Sequence, residues 1–263
     1  MAAEKPPLVC PRGCGELDVR NRGLCQVCGF DFGCGKPYLD FAGNTEQSPS
    51  GVGPRLMHSK TLARVYERVW RPMFVSVLGA GPANIEREFT NVRRALSTAR
   101  GDWVVDLSCG PGVLGRRMAR CGDFKGVVGL DLSHPMLKQA AHYTMREATP
   151  DFVLIRADVV NQPFPTGGLG GAHAGAALHL WPDVRGALRE IARTLRPGAP
   201  FVATTFFTAR SRMISLGQRM VGNSITTRFF EEEWLRHELH LAGFRDVSVK
   251  RRAAYGFLQA FRA

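Results

Sequence analysis

No stretch of this chain approaches the ~20 uninterrupted apolar residues of a membrane-spanning helix, which excludes an integral membrane protein of the helical kind. The opening residues, MAAEKPP, lack the basic and then apolar run of a secretory signal, so secretion is not expected. Internal repeats are lacking as well. Acidic residues are scarce: 23 Asp+Glu against 35 Lys+Arg leave a net charge of +12. Residues 1–53 hold five basic and six acidic side chains, so the positive excess lies entirely beyond them. Such a balance suits an anionic partner, RNA or a lipid surface, although an Arg-rich composition alone produces it too. What the chain does have is apolar material, 44% of 263 residues. That suffices for one core domain and a small appendage and excludes global disorder.

The seven cysteines are unevenly placed, with Cys10, Cys14, Cys25, Cys28 and Cys34 all at the start and Cys109 and Cys121 alone later. An odd count without a secretory signal is not a disulfide framework. Cys10-x3-Cys14 and Cys25-x2-Cys28 instead form two knuckle-like pairs, and tetrahedral zinc takes four soft ligands from such tight turns. Gly13, Gly15, Gly23 and Gly29 permit those turns. A metal would also order residues 1–45, which have too few apolar runs to build a core. Four thiolates leave no open coordination position, so this zinc would be structural. Cys34 as a replacement ligand, and free thiols on a loose tail, stay open as alternatives.

Residues 46–54 read as a Gly/Pro/Ser-rich linker, and 55–100 as a helical region. In the latter, Leu62, Val65, Val69, Met73 and Val77 follow a helical period that Pro72 interrupts, and a second helix covers Ile85–Ala99. From 101 to 263 strands and helices alternate. Strands are expected at Trp103–Leu107, Val127–Asp131, Phe152–Ala157, Ala172–Gly175 and Phe201–Phe206. Helices are expected at Val113–Cys121, from an N-cap at Ser133 to Ala148, at Asp183–Leu195 and at Glu231–Ala242. Asp246–Lys250 and Gly256–Phe261 close the chain as a hairpin. This pattern predicts an α/β fold with a mostly parallel seven-stranded sheet and an antiparallel edge hairpin.

The first strand ends in Asp106-Leu107-Ser108-Cys109-Gly110-Pro111-Gly112, a glycine-rich turn leading into a helix. Glycines let a ligand approach the backbone, and the helix start offers free N–H groups. Asp131 follows Gly112 by nineteen residues at the next strand end, the spacing of an acid that accepts from ribose hydroxyls. Asp158 is a third acid, after the third strand. A dinucleotide fingerprint would have glycine where Ser108 stands, and the carboxylate of Asp106 repels pyrophosphate but suits a cation. S-adenosylmethionine (SAM), with its ammonium and sulfonium, fits this turn.

Asp106-x-Ser108-x-Gly110-x-Gly112, Gly129-Leu130-Asp131, Ala157-Asp158 and Leu195-Arg196-Pro197-Gly198 resemble the motifs of class I SAM-dependent methyltransferases in order and spacing. Tyr66-Glu67-Arg68-Val69-Trp70-Arg71 and the run from His173 to Pro182 resemble a plant and algal group of plastid, plastoglobule-associated UbiE-like enzymes. The Cys-rich start followed by Tyr38-Leu39-Asp40 is similar too. The resemblance implies a Rossmann-like fold and a plastid location, cytoplasmic otherwise, with peripheral contact to a membrane or lipid droplet. It implies that Asp106, Ser108, Cys109, Gly110 and Gly112 line the methionine end of SAM. Asp131 would hold the ribose, Leu132 would lie against the adenine, Asp158 would accept from its amino group, and Val159 would pack on the ring. Ala174 and Gly175 would face the methyl group.

Displacement at a sulfonium mainly needs alignment of nucleophile, carbon and sulfur. His179 is the candidate base should the acceptor lose a proton early, the alternative being a structural histidine beside Trp181. Trp181-Pro182, Phe206 and Phe207 are candidates for an apolar acceptor wall or for ordinary core. Residues 208–228, with Arg210, Arg212, Arg219 and Arg228, are a candidate substrate lid. The expected activity is methyl transfer to a small lipophilic acceptor. A zinc-ribbon ribosomal RNA base methyltransferase and a non-catalytic SAM-fold scaffold are the rivals.

Overall fold

The computed structural model describes residues 5–17, 23–33, 35–43, 59–67, 85–149, 151–209 and 228–263. The linker at 46–54, the Arg68–Arg71 half of the early motif, the Pro72 interruption, Cys34, and the 210–227 part of the lid all lie outside these residues.

The elements come in the order β1 (Leu39–Asp40), α1 (Lys60–Val65), α2 (Ile85–Ala95), β2 (Trp103–Leu107), α3 (Val113–Arg120), β3 (Gly126–Asp131), α4 (His134–Arg146), β4 (Phe152–Arg156), β5 (Gly171–Gly175), α5 (Val184–Thr194), β6 (Pro200–Phe206), α6 (Glu232–Leu241), β7 (Phe244–Arg252) and β8 (Tyr255–Arg262). The strands and helices named above after residue 100 are present, within one or two residues at most ends, while a helix expected within 208–228 falls outside the described residues. Their caps follow the sequence: Ser133 accepts from the N–H of Met136 at the start of α4, and Asp183 from that of Gly186 at the start of α5.

The described residues form one eight-stranded sheet ordered β1-β4-β3-β2-β5-β6-β8-β7. Only the β6–β8 and β8–β7 pairs are antiparallel. Strands β2 and β6 are buried along their whole length, as expected of strands covered by helices on both faces. The seven strands read from the sequence are joined by an eighth that was not foreseen: Leu39 and Asp40 pair in parallel with Ile155 and Arg156. The cysteine-rich start is therefore not an appendage held by metal alone. Leu8, Leu17, Phe32 and Leu39 are buried in the same core cluster as Ile155 and Phe164.

From β2 the chain builds outward through β3 and β4, then returns to lay β5 on the other side of β2. The order reverses between β2 and β5. In open α/β sheets the crevice at the carboxyl ends of the strands flanking that reversal is where ligands bind.

Candidate functional site

Asp106 and His173 are register partners on β2 and β5, at the switch point. His173 Nδ1 lies 2.7 Å from Asp106 Oδ1, and both side chains are almost fully buried. The carboxylate expected to face a cationic ligand thus has an imidazole as its partner. His173, read from the sequence as a strand residue, is part of the site; nothing in a single sequence reveals that register.

The turn after β2 is strained. Ser108, where a glycine would be the easy choice, has φ of 52°, and Gly110 and Gly112 have 55° and 80°. A non-glycine in this region costs of order 1–3 kcal/mol and persists where its surroundings hold it. Trp181 Nε1 donates to Ser108 Oγ at 2.9 Å, which ties the segment after β5 to the turn.

The glycines divide by role. Among the described residues, a Cβ on Gly110 would meet nothing nearer than Tyr66 Cε1 at 4.0 Å. Gly112 differs from expectation: a Cβ there would lie 2.7 Å from Phe152 Cε1. Gly115 and Gly129 point at the same ring, at 2.4 and 2.6 Å. Three glycines, from the turn, α3 and β3, make a socket for Phe152 and let helix, turn and sheet approach closely.

Asp131 ends β3 and organises the turn from the side. Its Oδ2 accepts from the Gly110 N–H and its Oδ1 from the Ser133 N–H, each at 2.8 Å. Burial pushes its pKa up to about 6; the N–H groups of Ser133 and Gly110 oppose this, and the nearby charge of Asp106 adds to it. Asp158 sits just past β4, half-buried, accepting from the Val160 N–H, while Val159 is buried in the core.

Cys109 is a turn residue with its thiol pushed well above the ordinary range by burial and by the charges of Asp131 and Asp106, which disfavours the thiolate a nucleophile needs. Ala174, expected to face the methyl group, is fully buried in the core on the opposite side of β5 from His173. Gly175, half-buried at the strand end, is left as the surface there.

His179 is corrected as a base. It is buried, edge-on to Phe206 at 4.7 Å between ring centres, and burial alone drives its pKa down to about 3. Such an imidazole holds a proton too weakly for general-base work near neutral pH. Trp181, Phe206 and Phe207 are likewise core residues.

Arg116, on α3, was not singled out in the sequence. It is nearly fully buried and donates to the carbonyl of Pro111 in the turn, to Glu67 Oε1 at 2.8 Å and to Glu147 Oε2 at 3.0 Å. It thereby ties the helical region before residue 85 and the end of α4 to the glycine turn.

The second cluster is the cysteines. The four sulfur atoms of Cys10, Cys14, Cys25 and Cys28 all lie within 4.8 Å of one another, with Cys10 and Cys28 Sγ 3.9 Å apart. Zn–S bonds of about 2.3 Å in a tetrahedron place sulfurs about 3.8 Å apart. The backbone N–H of Cys28 leads the groups that pull the Cys25 thiol down to about 6, while burial and the neighbouring cysteines push the Cys14 thiol up to about 12.

Residues 104–198 match the family described as Methyltransferase domain. An uncharacterized chloroplastic methyltransferase of Arabidopsis thaliana is 35% identical over 205 residues, covering 74% of this chain and 57% of the relative. A 2-phytyl-1,4-naphtoquinone methyltransferase of Nostoc punctiforme is 31% identical over 126 residues, 47% of this chain and 55% of the relative. The chain thus spans little more than half the length of these curated relatives. Among solved structures, two of Haemonchus contortus phosphoethanolamine N-methyltransferase 2, one of them in complex with S-adenosyl-L-methionine, share the fold, with TM-scores of 0.64 and 0.65 and 14% identity. The likeness to the S-adenosyl-L-methionine complex covers 79% of this chain and 58% of the other. Residues 104–198 thus carry a methyltransferase domain.

Proposed function

We propose that the chain transfers a methyl group from SAM to a small lipophilic acceptor in a plastid. The observation that carries this is Asp131: a half-buried carboxylate, its oxygens already engaged by the Gly110 and Ser133 amides, beside the turn at Gly110. SAM, when bound, supplies a methyl group on an already activated sulfonium. The chain has to bind, align and exclude water. Asp131 would take the ribose hydroxyls, with Leu132 and Asp158 on the adenine side. Ser108, Cys109 and Gly110 would line the methionine end, and Gly175 would bound the methyl side. Asp106 would act on the cationic end through His173 and the turn.

No strong base is supplied by His179, which suits an acceptor that is nucleophilic at neutral pH or that loses its proton to water. The quinone methyltransferase relative and the chloroplastic relative support a lipophilic acceptor and a plastid location. No helix among the described residues is long and apolar enough to cross a membrane, so any lipid contact would be peripheral. The cysteine cluster would hold a structural zinc, the four sulfurs being spaced for tetrahedral coordination.

Incubation of the purified chain with methyl-labelled SAM and fractionated plastid extract tests the assignment. Label entering the neutral lipid fraction is expected. Label entering RNA alone, or no label transfer despite cofactor binding, would overturn it.

A further inference from the structure

We propose that the cysteine-bearing segment is a wall of the cofactor site: Tyr38 and Asp40 are positioning residues that hold the 131–134 loop, so metal occupancy of the cysteine cluster is linked to cofactor affinity. The inference rests on the reading of Asp131 and Leu132 as the adenosine-binding side and of the cysteines as a zinc site.

The physical connection is continuous. Strand β1 lies on the outer edge of β4, and Asp40 is in register with Arg156, which is itself in register with Asp131. The buried Arg156 guanidinium reaches in three directions. Its Nη1 donates to Asp40 Oδ1 at 3.2 Å and to the Gly43 carbonyl at 2.8 Å. Its Nε donates to the Leu132 carbonyl at 3.0 Å. A buried guanidinium needs a compensating carboxylate, and Asp40, itself buried and also paired with Lys36, supplies it. The same segment makes a second grip on the loop: the hydroxyl of the buried Tyr38 lies 2.5 Å from His134 Nδ1, at the first residue of α4. The loop carrying Asp131, Leu132 and Ser133 is therefore clamped from outside by two groups that belong to the N-terminal segment.

The clamp leads back to the cysteines in a few hydrogen bonds. The Asp40 N–H donates to the Phe32 carbonyl at 2.6 Å, the Phe32 N–H to the Gly23 carbonyl at 3.1 Å, and the Cys25 N–H to the Phe30 carbonyl at 2.9 Å. The short ladder that presents Cys25 and Cys28 is thus the one on which Asp40 hangs. Where a metal stabilises such a ladder, its binding free energy is folding free energy of that segment. Whatever orders the clamp before the cofactor arrives raises cofactor affinity, and linkage makes the effect reciprocal.

The test uses the full-length, zinc-loaded chain and calorimetry with S-adenosylhomocysteine and with 5′-methylthioadenosine, which keeps the adenosine and lacks the amino-acid end. Stripping zinc with a chelator is expected to weaken both ligands by about tenfold, within the usual range of coupling between sites. In Tyr38→Phe and Asp40→Asn, each assayed with zinc bound, affinity is expected to fall already, and chelation should change it by less than about twofold further. Tyr38→Phe is the milder variant, should loss of the Asp40 charge prevent folding. Reciprocally, saturating S-adenosylhomocysteine should raise zinc affinity, read by competition with a chromophoric chelator, by the same factor. The proposal is overturned if chelation leaves ligand affinity unchanged in the unaltered chain, or weakens it equally in the variants. A chain that binds zinc but no S-adenosylhomocysteine would remove the cofactor reading, and a chain that binds the ligand but no zinc would remove the metal link.

Discussion

Asp131 is an acid whose surroundings resist its ionisation, and this has two consequences of opposite sign. Because its folded-state pKa is raised from 3.8 to about 6, the native chain binds more protons than the unfolded chain between those values. Its contribution to stability is therefore greatest at low pH and is lost as pH rises through that window. Ribose hydroxyls, however, donate to the ionised form, so cofactor affinity should rise through the same window. Calorimetry with S-adenosylhomocysteine is expected to show affinity about tenfold weaker at pH 5 than at pH 7, and Asp131→Asn should bind weakly and with little pH dependence. The socket under Phe152 is a prediction of packing. Gly115→Ala places a methyl 2.4 Å from the ring and should cost about 1–3 kcal/mol. Phe152→Ala should cost about 3–5 kcal/mol through the cavity it leaves, both read by denaturant unfolding. Asp131 was legible from its distance to the glycine turn. The socket was not, because Gly112, Gly115 and Gly129 are explained by a ring far along the chain, and a glycine in sequence does not say whether its space admits a ligand or a neighbour.

At the scale of elements, alternation of apolar runs gave the strands and helices beyond residue 100, down to the caps at Ser133 and Asp183. The missed element is the two-residue β1, too short to show any periodicity and defined only by its pairing with β4. The cysteine spacing was legible because four soft ligands on two turns have few other uses, and the sulfurs do converge. Two other expectations failed for a common reason. Ala174 and His179 were placed by their distance from a strand end, but strand alternation and local burial decide which way each side chain faces. Metal removal is a prediction at this scale. A chelator should lower the thermal midpoint of the full chain, zinc should restore it and magnesium should not, since hard oxygen-seeking cations do not replace zinc on thiolates. Cys25→Ser should start at the lower midpoint and gain nothing from zinc. A midpoint indifferent to chelator would contradict the structural role.

For the whole molecule, the sheet order places a reversal between β2 and β5, and the side chains with chemistry gather at that crevice. The fold class was legible because a parallel sheet demands the strand–helix alternation the sequence displays. The architecture of the site was less so: His173 beside Asp106, Trp181 on Ser108 and Arg116 on the turn all join residues brought together only by register and packing. The most direct measurement is calorimetric titration of the intact chain with S-adenosylhomocysteine at pH 7.5, beside the Asp106→Ala, Asp131→Ala double variant. One molecule bound per chain is expected, with affinity reduced at least a hundredfold in the variant, the loss of two polar contacts of about 1.5–3 kcal/mol each. No binding by the unaltered chain, or equal binding by both, would contradict the account.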